Sequence, residues 1–420
     1  MKKLSLIFTD VRFSKIFILG VISGMPFAIL YTTIIAWLNH FELNFALVTY
    51  LATARMPYSM KFLWSPAIDY FHIPILTKYL GRRRSWMVLT SIGIANILYY
   101  LSFLTPSEGI FNKILVLSII MGFLAATYDI AYDALRIEMI EPEMQALAVA
   151  HVTLAYRLGL ILTGACAISA GQLQGWKFTF QMMSWFFIFG AFLCLGIQTS
   201  LETVKRSGGF FSETAKSFQD LFKRKHIILI LSTIILYKLG DAMLAFSGMK
   251  FYVIAGFTLV QIGLVVKTFG LIATIIGSYV GGMIMMRYGT LRGLMICGTA
   301  QMVTNLGYIW LNHAHKNIGV FLITNICENF TGGMGAGALS GYISILCSIK
   351  FAANQFALLS SCSAFMNSFL TSFTGTLVKI MGWDTFFVFT AVVSMPALVL
   401  IYILNKKIEA DKIEEGNSGK

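Results

Sequence analysis

An all-α membrane protein is the fold class this sequence predicts, and three observations predict it. Hydrophobic residues fill 57% of the 420 positions and charged residues only 12%, with a mean hydropathy of +0.76; soluble domains of this size do not reach such values. The apolar residues gather in runs near the length of about 20 residues that one helix needs to cross a bilayer. One long polar stretch, 202–226, interrupts them and leaves six runs on either side.

Twelve transmembrane helices are therefore expected, at 16–38, 46–69, 86–104, 114–134, 146–171, 178–201, 227–249, 258–286, 294–311, 318–346, 358–378 and 386–404. The first is longer than a signal-peptide core and lacks a small-residue cleavage site after it, so it reads as a mature helix. Its Gly20, Gly24 and Pro26 permit either a bend or close helix packing. The second carries Arg55 and Lys61, six apart and so on different faces; Lys61, nearer the cytoplasmic end, suits snorkelling. On the fourth, Asp129 and Asp133 share one face, which makes one of them a candidate to hold a proton. Asp133 also stands three residues before Arg136, so a gate clamp and a proton site are both open readings for it. Arg157 in the fifth span has no acid within four residues; its counterion must come from another helix or from a ligand, with Asp129 and Glu328 as the candidates.

In the second half, Lys238 and Asp241 are three apart on the seventh span and can neutralise one another. Tyr237 and Gly240 beside them offer a hydrogen-bonding aromatic and backbone access suited to a sugar. The eighth span holds Lys267, Gly277 and Gly281. The tenth is the richest polar stretch: Glu328, Asn329 and Thr331 precede Gly332, Gly333, Gly335, Gly337 and Gly341, and this glycine crowding predicts a flexible or broken segment. An ionised side chain at mid-bilayer costs about 2.5–3.5 kcal/mol on insertion scales, so such residues normally face a wet cavity, a partner charge or a substrate path. That pattern is a transporter's.

The expected organisation is a six-helix half over 1–201, a cytoplasmic linker over 202–226, a second six-helix half over 227–404 and a cytoplasmic tail over 405–420. Within the linker, Phe211, Ala215, Phe218, Leu221 and Phe222 follow a helical period that predicts a short amphipathic helix on the membrane surface. The net charge of +13 sorts by loop rather than into one patch. With both termini in the cytoplasm, 22 Lys and Arg residues lie inside, against five outside: Lys113, Lys177, Lys250, Lys316 and Lys379. That asymmetry specifies the orientation and removes the case for a nucleic-acid partner. The six cysteines show no paired spacing and read as free thiols. His313 and His315 lack neighbours at metal spacing. No phosphate-binding glycine loop, nucleophile elbow or HExxH is present, so an enzyme, a cofactor and ATP-driven pumping are not expected. An ion gradient is the simpler energy source, and titratable carboxylates without a sodium cage favour protons.

Two loops carry a further pattern. After the second span, Asp69 is followed by Gly81, Arg82, Arg83 and Arg84; after the eighth come Gly281, Gly282, Arg287, Tyr288, Gly289 and Arg292, with Met286 where an acid would stand. Both resemble the cytoplasmic gate loop of the major facilitator superfamily. That resemblance implies two six-helix halves with a substrate site between them near the midplane.

An ordered set of motifs resembles, more narrowly, the AmpG-type muropeptide permeases. It runs through Lys61 to Pro66 with Asp69, Gly81 to Trp86, Tyr128 and Asp129 with Tyr132 to Ala134, and Tyr156 to Gly159. It continues through Tyr237 to Ala242, Lys267 with Phe269 and Gly270, Glu328 to Gly335, and Gln355 with Ala357 to Ser361. Tyr70 departs from the basic residue that relatives carry after the loop acid. The resemblance implies a monomer in a bacterial inner membrane that imports anhydro-muropeptides, large anionic sugar-peptides of cell-wall recycling, by alternating access and at the expense of a proton gradient. Substrate- and proton-binding candidates are then Arg55, Lys61, Asp129, Asp133, Arg157, Tyr237, Lys238, Asp241, Lys267, Glu328 and Asn329, with Asp69, Gly81, Arg82, Arg83, Arg84, Arg287 and Arg292 at the gate. Competing readings are a transporter of another bulky anion, a coenzyme A ester or a siderophore, and a membrane sensor that transports nothing.

Overall fold

The computed structural model describes residues 10–196 and 209–418. The basic residues Lys2, Lys3, Lys205, Arg206 and Lys420, and linker positions 202–208, lie outside the described residues. Every regular element among them is helical. Among the described residues seven helices are long and apolar enough to cross a membrane, and the pair Ile318–Leu346 and Ile349–Thr371, bent by 105°, makes up to eight. Large apolar side chains such as Trp185, Phe192, Phe365 and Ile380 are more than half exposed, the outward face that a lipid-embedded helix presents.

Physical breaks explain why the other expected spans do not pass as single helices. Residues 46–69 are divided among α3 (Phe45–Thr49), a 3-10 turn, α4 (Met56–Met60), a second 3-10 turn and α5 (Ser65–Tyr70). Pro57 and Pro66 sit in the first turns of α4 and α5, where a missing N–H is tolerated, whereas a longer helix running through either proline would lose a hydrogen bond. The stretch 86–104 lies in α7 (Arg82–Leu101), which opens on three arginines. The stretch 294–311 is parted into α17 (Thr290–Asn305) and α18 (Gly307–His313).

The chain forms two compact units. Unit 1 gathers residues 1–140, 151–218 and 347–361. In it α1 (Val11–Ala28), extended through a π-helical turn by α2 (Ile34–His40), packs on α8 (Glu108–Met139), while α7 packs on both α8 and α11 (Trp176–Leu195). Unit 2 gathers 141–150, 219–346 and 362–420. Its spine is α19 (Ile318–Leu346), packed on α16 (Leu271–Tyr288) and α17. Around it lie α14 (Leu239–Ile254) and α21 (Thr374–Val392), which bury an aromatic core of Phe251, Tyr252, Tyr308, Phe321, Phe386 and Phe387. Each unit thus holds one short segment drawn from the sequence of the other half.

The predicted break in the tenth span is not found: α19 is one continuous helix of 29 residues. Its glycines are a packing seam. A methyl group at Gly333 would fall on the Thr274 carbonyl of α16, and one at Gly277 of α16 on the Phe330 carbonyl of α19. Two helices that approach this closely need hydrogen in place of a side chain at the crossing, and the same packing holds the backbone straight.

A different glycine role recurs at four helix junctions. Gly81 before α7 has φ 75° and ψ 168°, Gly175 before α11 has 91° and 152°, Gly289 before α17 has 84° and 167°, and Gly382 inside α21 has 74° and 171°. This region is open essentially to glycine alone. One sharp turn is thus used twice in each sequence half, the mark of nested structural repeats.

The predicted linker helix is α12 (Phe210–Phe222). It is fastened to unit 1: Phe210 stacks on Phe71 with ring centroids 5.4 Å apart, and Ser217 accepts hydrogen bonds from the side chains of Asn354 at its hydroxyl (2.8 Å) and Gln355 at its carbonyl (3.3 Å). Glu213 is buried beside Lys216 (2.7 Å) and Lys350 (3.5 Å). The Lys216 hydrogen bond holds its carboxyl below the usual carboxylate range.

Two outcomes follow from these constraints. Gly175 has open space around it, so Gly175→Ala tests conformation alone and should destabilise by about 1–3 kcal/mol. Gly109→Ala, also in open space but within helix α8, should not; equal thermal unfolding of the two variants in detergent would remove the constraint. For Glu213 a depressed carboxyl stabilises the folded state above the unfolded-chain value near pH 4 and loses that contribution as pH falls through the folded value. Glu213→Gln should therefore melt earlier than the wild type at pH 7, with the gap closing in acid; a gap independent of pH counts against the ion pair.

Candidate functional site

In unit 1 the polar residues converge on α8. Asp129 accepts a hydrogen bond from Ser23 of α1 at 2.5 Å, and Lys61, in the 3-10 turn Lys61–Leu63, is its cationic neighbour. Lys61 therefore faces a half-buried acid. Asp133, on the same helix face, pairs instead with Arg136 at 3.5 Å. Arg136 is only 1% exposed, with its guanidinium 5.3 Å from the Phe356 ring. The two aspartates share a face yet answer to different partners.

Beside Asp129 stands an aromatic wall that sequence reading missed. Phe27 stacks on Tyr31 with centroids 3.9 Å apart, Tyr58 meets Phe27 edge-on at 5.7 Å, and Tyr156 of α9 (Gln145–Ile161) lies 6.3 Å from it. The Arg55 guanidinium sits 3.6 Å over the Tyr31 ring, and its buried Nε has no hydrogen-bond partner. Neither Arg55 nor Arg157 forms an ion pair among the described residues; Arg157 has neither Asp129 nor Glu328 as a bonded counterion. Tyr31 belongs to the π-helical turn Ile29–Thr33, and Arg157 precedes a second, Leu162–Cys166. Such turns re-aim side chains and frequently mark functional sites, but no residue pattern announces them in advance. The Arg55 guanidinium is thus held on an aromatic face without a carboxylate partner.

At the loop after the second expected span, Asp69 is 2% exposed and accepts from Arg83 at 2.6 Å and from the backbone N–H of Asn354, in the first turn of α20 (Ala352–Thr371), at 2.8 Å. Arg83 also donates to Glu138 at 2.7 Å, and Arg82 to the Asp69 carbonyl at 2.5 Å. Glu138 and Asn354 were not among the expected gate residues; nothing in their sequence neighbourhoods sets them apart. Arg84 is buried beside Cys194, and Tyr70 meets Phe210 of the linker helix with centroids 5.4 Å apart. Removing one member of such a buried network costs about 3–5 kcal/mol, because it strands the others. The second loop does not repeat the network. Arg287 is exposed over the Tyr288 ring and exposed Arg292 pairs with Glu409 at 3.1 Å, as expected when Met286 leaves no acid to bury.

In unit 2, α13 (Ile227–Leu236) and α14 are parted at Tyr237 and Lys238. Lys238 pairs with Asp241 and also donates to the Gly332 carbonyl at 3.1 Å and to Gln301 at 3.4 Å. Glu328 of α19, 8% exposed, accepts from Asn329 at 2.8 Å and has Asp241 and Lys238 as charged neighbours. Asn329 also accepts from Thr274 of α16 at 3.2 Å, which ties the site to the glycine seam. Three expected members are not part of this cluster. Tyr237 is 3% exposed and donates to the Leu294 carbonyl at 3.0 Å, out of a ligand's reach. Gly240 gives no backbone access, since it packs against the Thr390 carbonyl of α21. Lys267 is exposed on the π-helical stretch Gly263–Gly270 and makes no ion pair among the described residues.

Comparison with known proteins places this geometry. The profile of the Major Facilitator Superfamily matches residues 16–370. The chain is 40% identical to "Putative transporter AmpG 4" of Rickettsia conorii over 97% of its own length and 99% of the relative's. It is 31% identical to the "Anhydromuropeptide permease" of Escherichia coli, covering 97% of this chain and 83% of that one. Among solved structures, the Escherichia coli fucose:proton symporter FucP superposes with a TM-score of 0.69 at 13% identity, covering 93% and 98% of the two chains. The human organic anion transporter MFSD10 superposes with 0.63 at 14%, covering 92% and 98%. These two likenesses show the fold alone. With nearly its whole length aligned to the first two relatives, the chain belongs to the Major Facilitator Superfamily of secondary transporters and, within it, to the AmpG-type permeases.

Proposed function

We propose that this transporter imports anionic sugar-peptides of the anhydro-muropeptide class, coupled to protons, by alternating access across a bacterial inner membrane. Twelve membrane helices and cytoplasmic termini complete the proposal; the 22-to-5 partition of basic residues supports the orientation. The observation that carries the substrate reading is Arg55, stacked on Tyr31 and bonded to no acid, with Arg157, next in sequence to Tyr156 of the same wall, also in no ion pair among the described residues. An ion pair already made inside the protein would have to break before a ligand carboxylate could bind; these two cations are ready. Phe27, Tyr31 and Tyr58 supply flat apolar faces for sugar rings. The name of the Escherichia coli relative supports the same ligand.

The proton is assigned to unit 2. Glu328, Asp241 and Lys238 place two carboxyls and one ammonium together, and the set is electrically neutral when one carboxyl carries a proton. Asp129, held by Ser23 and facing Lys61, is the second carboxyl that responds to the ligand-bearing side.

Proteoliposomes bearing the protein should accumulate labelled anhydro-muropeptide under an inward proton gradient, and a protonophore should collapse that uptake. Glu328→Gln and Asp129→Asn should abolish accumulation; uptake indifferent to the gradient would end the coupling claim. Arg55→Ala and Arg157→Ala should each raise the KM for the peptide about tenfold or more, the loss of a charge-assisted contact worth about 1.5–3 kcal/mol. A panel containing a coenzyme A ester and a ferric siderophore separates this substrate from other bulky anions, because neither should compete.

A further inference from the structure

A chain of hydrogen bonds leads to Glu328. The side-chain N–H of Asn325 donates to the Tyr252 hydroxyl oxygen at 3.3 Å. The Tyr252 and Tyr308 hydroxyls are 2.7 Å apart, and the Tyr308 hydroxyl donates to Glu328 Oε2, 3.5 Å away. Tyr308 has a single hydrogen, so when the carboxylate takes it the Tyr308 oxygen accepts from Tyr252, and the Asn325 N–H on the Tyr252 oxygen is compatible with that order. The final link is the longest, at the limit of an O–H···O bond; it is the one that can tighten as charge develops on the carboxylate. Oε2 also receives Asn329, so both donors hold the same oxygen and the other is left toward Asp241 and Lys238.

We propose, on the reading of Glu328 as the proton-bearing carboxyl, that Tyr308 is a positioning residue of the proton site: its hydroxyl, hydrogen-bonded to Tyr252, holds the Glu328 carboxyl toward Asp241 and Lys238. The charged and titratable groups facing Glu328 are Asp241 and Lys238 at the start of α14, Tyr252 farther along it and Tyr308 on α18. From the α16 side the contact is neutral, Thr274 acting through Asn329, and Lys267 on the adjoining π-helical stretch is exposed. Tyr308 is 2% exposed and packs on Phe387 with centroids 5.4 Å apart. A phenylalanine there keeps the packing and removes only the donor.

Infrared difference spectroscopy of reconstituted protein reads the hydrogen bond without any transported substrate. The C=O stretch of protonated Glu328, identified as the band lost in Glu328→Gln, should move to higher frequency in Tyr308→Phe as a donor is removed. Tyr252→Phe should move it the same way by less, and provides a second variant if the first does not fold. In uptake, Tyr308→Phe should retain counterflow exchange, displace the pH profile of gradient-driven accumulation toward alkaline pH and reduce accumulation several-fold. A band and a pH profile both unchanged in Tyr308→Phe would overturn the assignment. A shifted band in a protein that accumulates no muropeptide would uphold the relay and reject the proposed substrate instead.

Discussion

A charge placed among hydrocarbon must be met by something other than water, and the ionisable groups of this transporter divide according to how that demand is answered. Asp69, Arg83 and Glu138 answer it by mutual pairing, with a backbone N–H of the first turn of α20 completing the set. Their burial is tolerable only because the hydrogen bonds are complete. Lys238, Asp241 and Glu328 form a second group, tied to neutral donors and acceptors from α16, α17 and α19. Arg55 answers with an aromatic face, and neither it nor Arg157 pairs with an acid among the described residues. The first arrangement is a closed network, the second gathers two carboxyls and one ammonium, and the third leaves cations without a carboxylate.

Close helix packing makes the second arrangement possible. The glycines of α16 and α19 let backbone carbonyls of one helix approach the other. Asn329 and Thr274 can then span the crossing with a single hydrogen bond, and the Gly332 carbonyl comes within reach of Lys238. Larger residues would separate the helices and leave Lys238, Asp241 and Glu328 with fewer partners. The seam is therefore an electrostatic requirement as well as a steric one.

Much of this was legible in the residue order. The all-helical membrane class and the linker helix follow from composition and periodicity, which depend on a residue and its near neighbours, and the family from its ordered motifs. The ion pair of Lys238 with Asp241 was also readable, because three residues are less than one helical turn. The glycines of the tenth span misled, since the same residue type serves flexibility in an unpacked helix and rigidity in a packed one. Tyr237 misled for a similar reason: its hydroxyl has a carbonyl partner 57 residues away.

By itself the sequence determined where helices lie against membrane, which loops carry positive charge and which charges stand inside apolar runs, because hydropathy, 3.6-residue periodicity and loop charge are local quantities. Only the tertiary structure decided which of those charges are neutralised. Glu138 and Asn354 entered the Asp69 network, Tyr252 and Tyr308 were joined to Glu328, and Arg55 was left on an aromatic face without an acid. The reason is that a hydrogen bond is decided by tenths of an ångström between residues tens to hundreds of positions apart, and no local pattern encodes that distance.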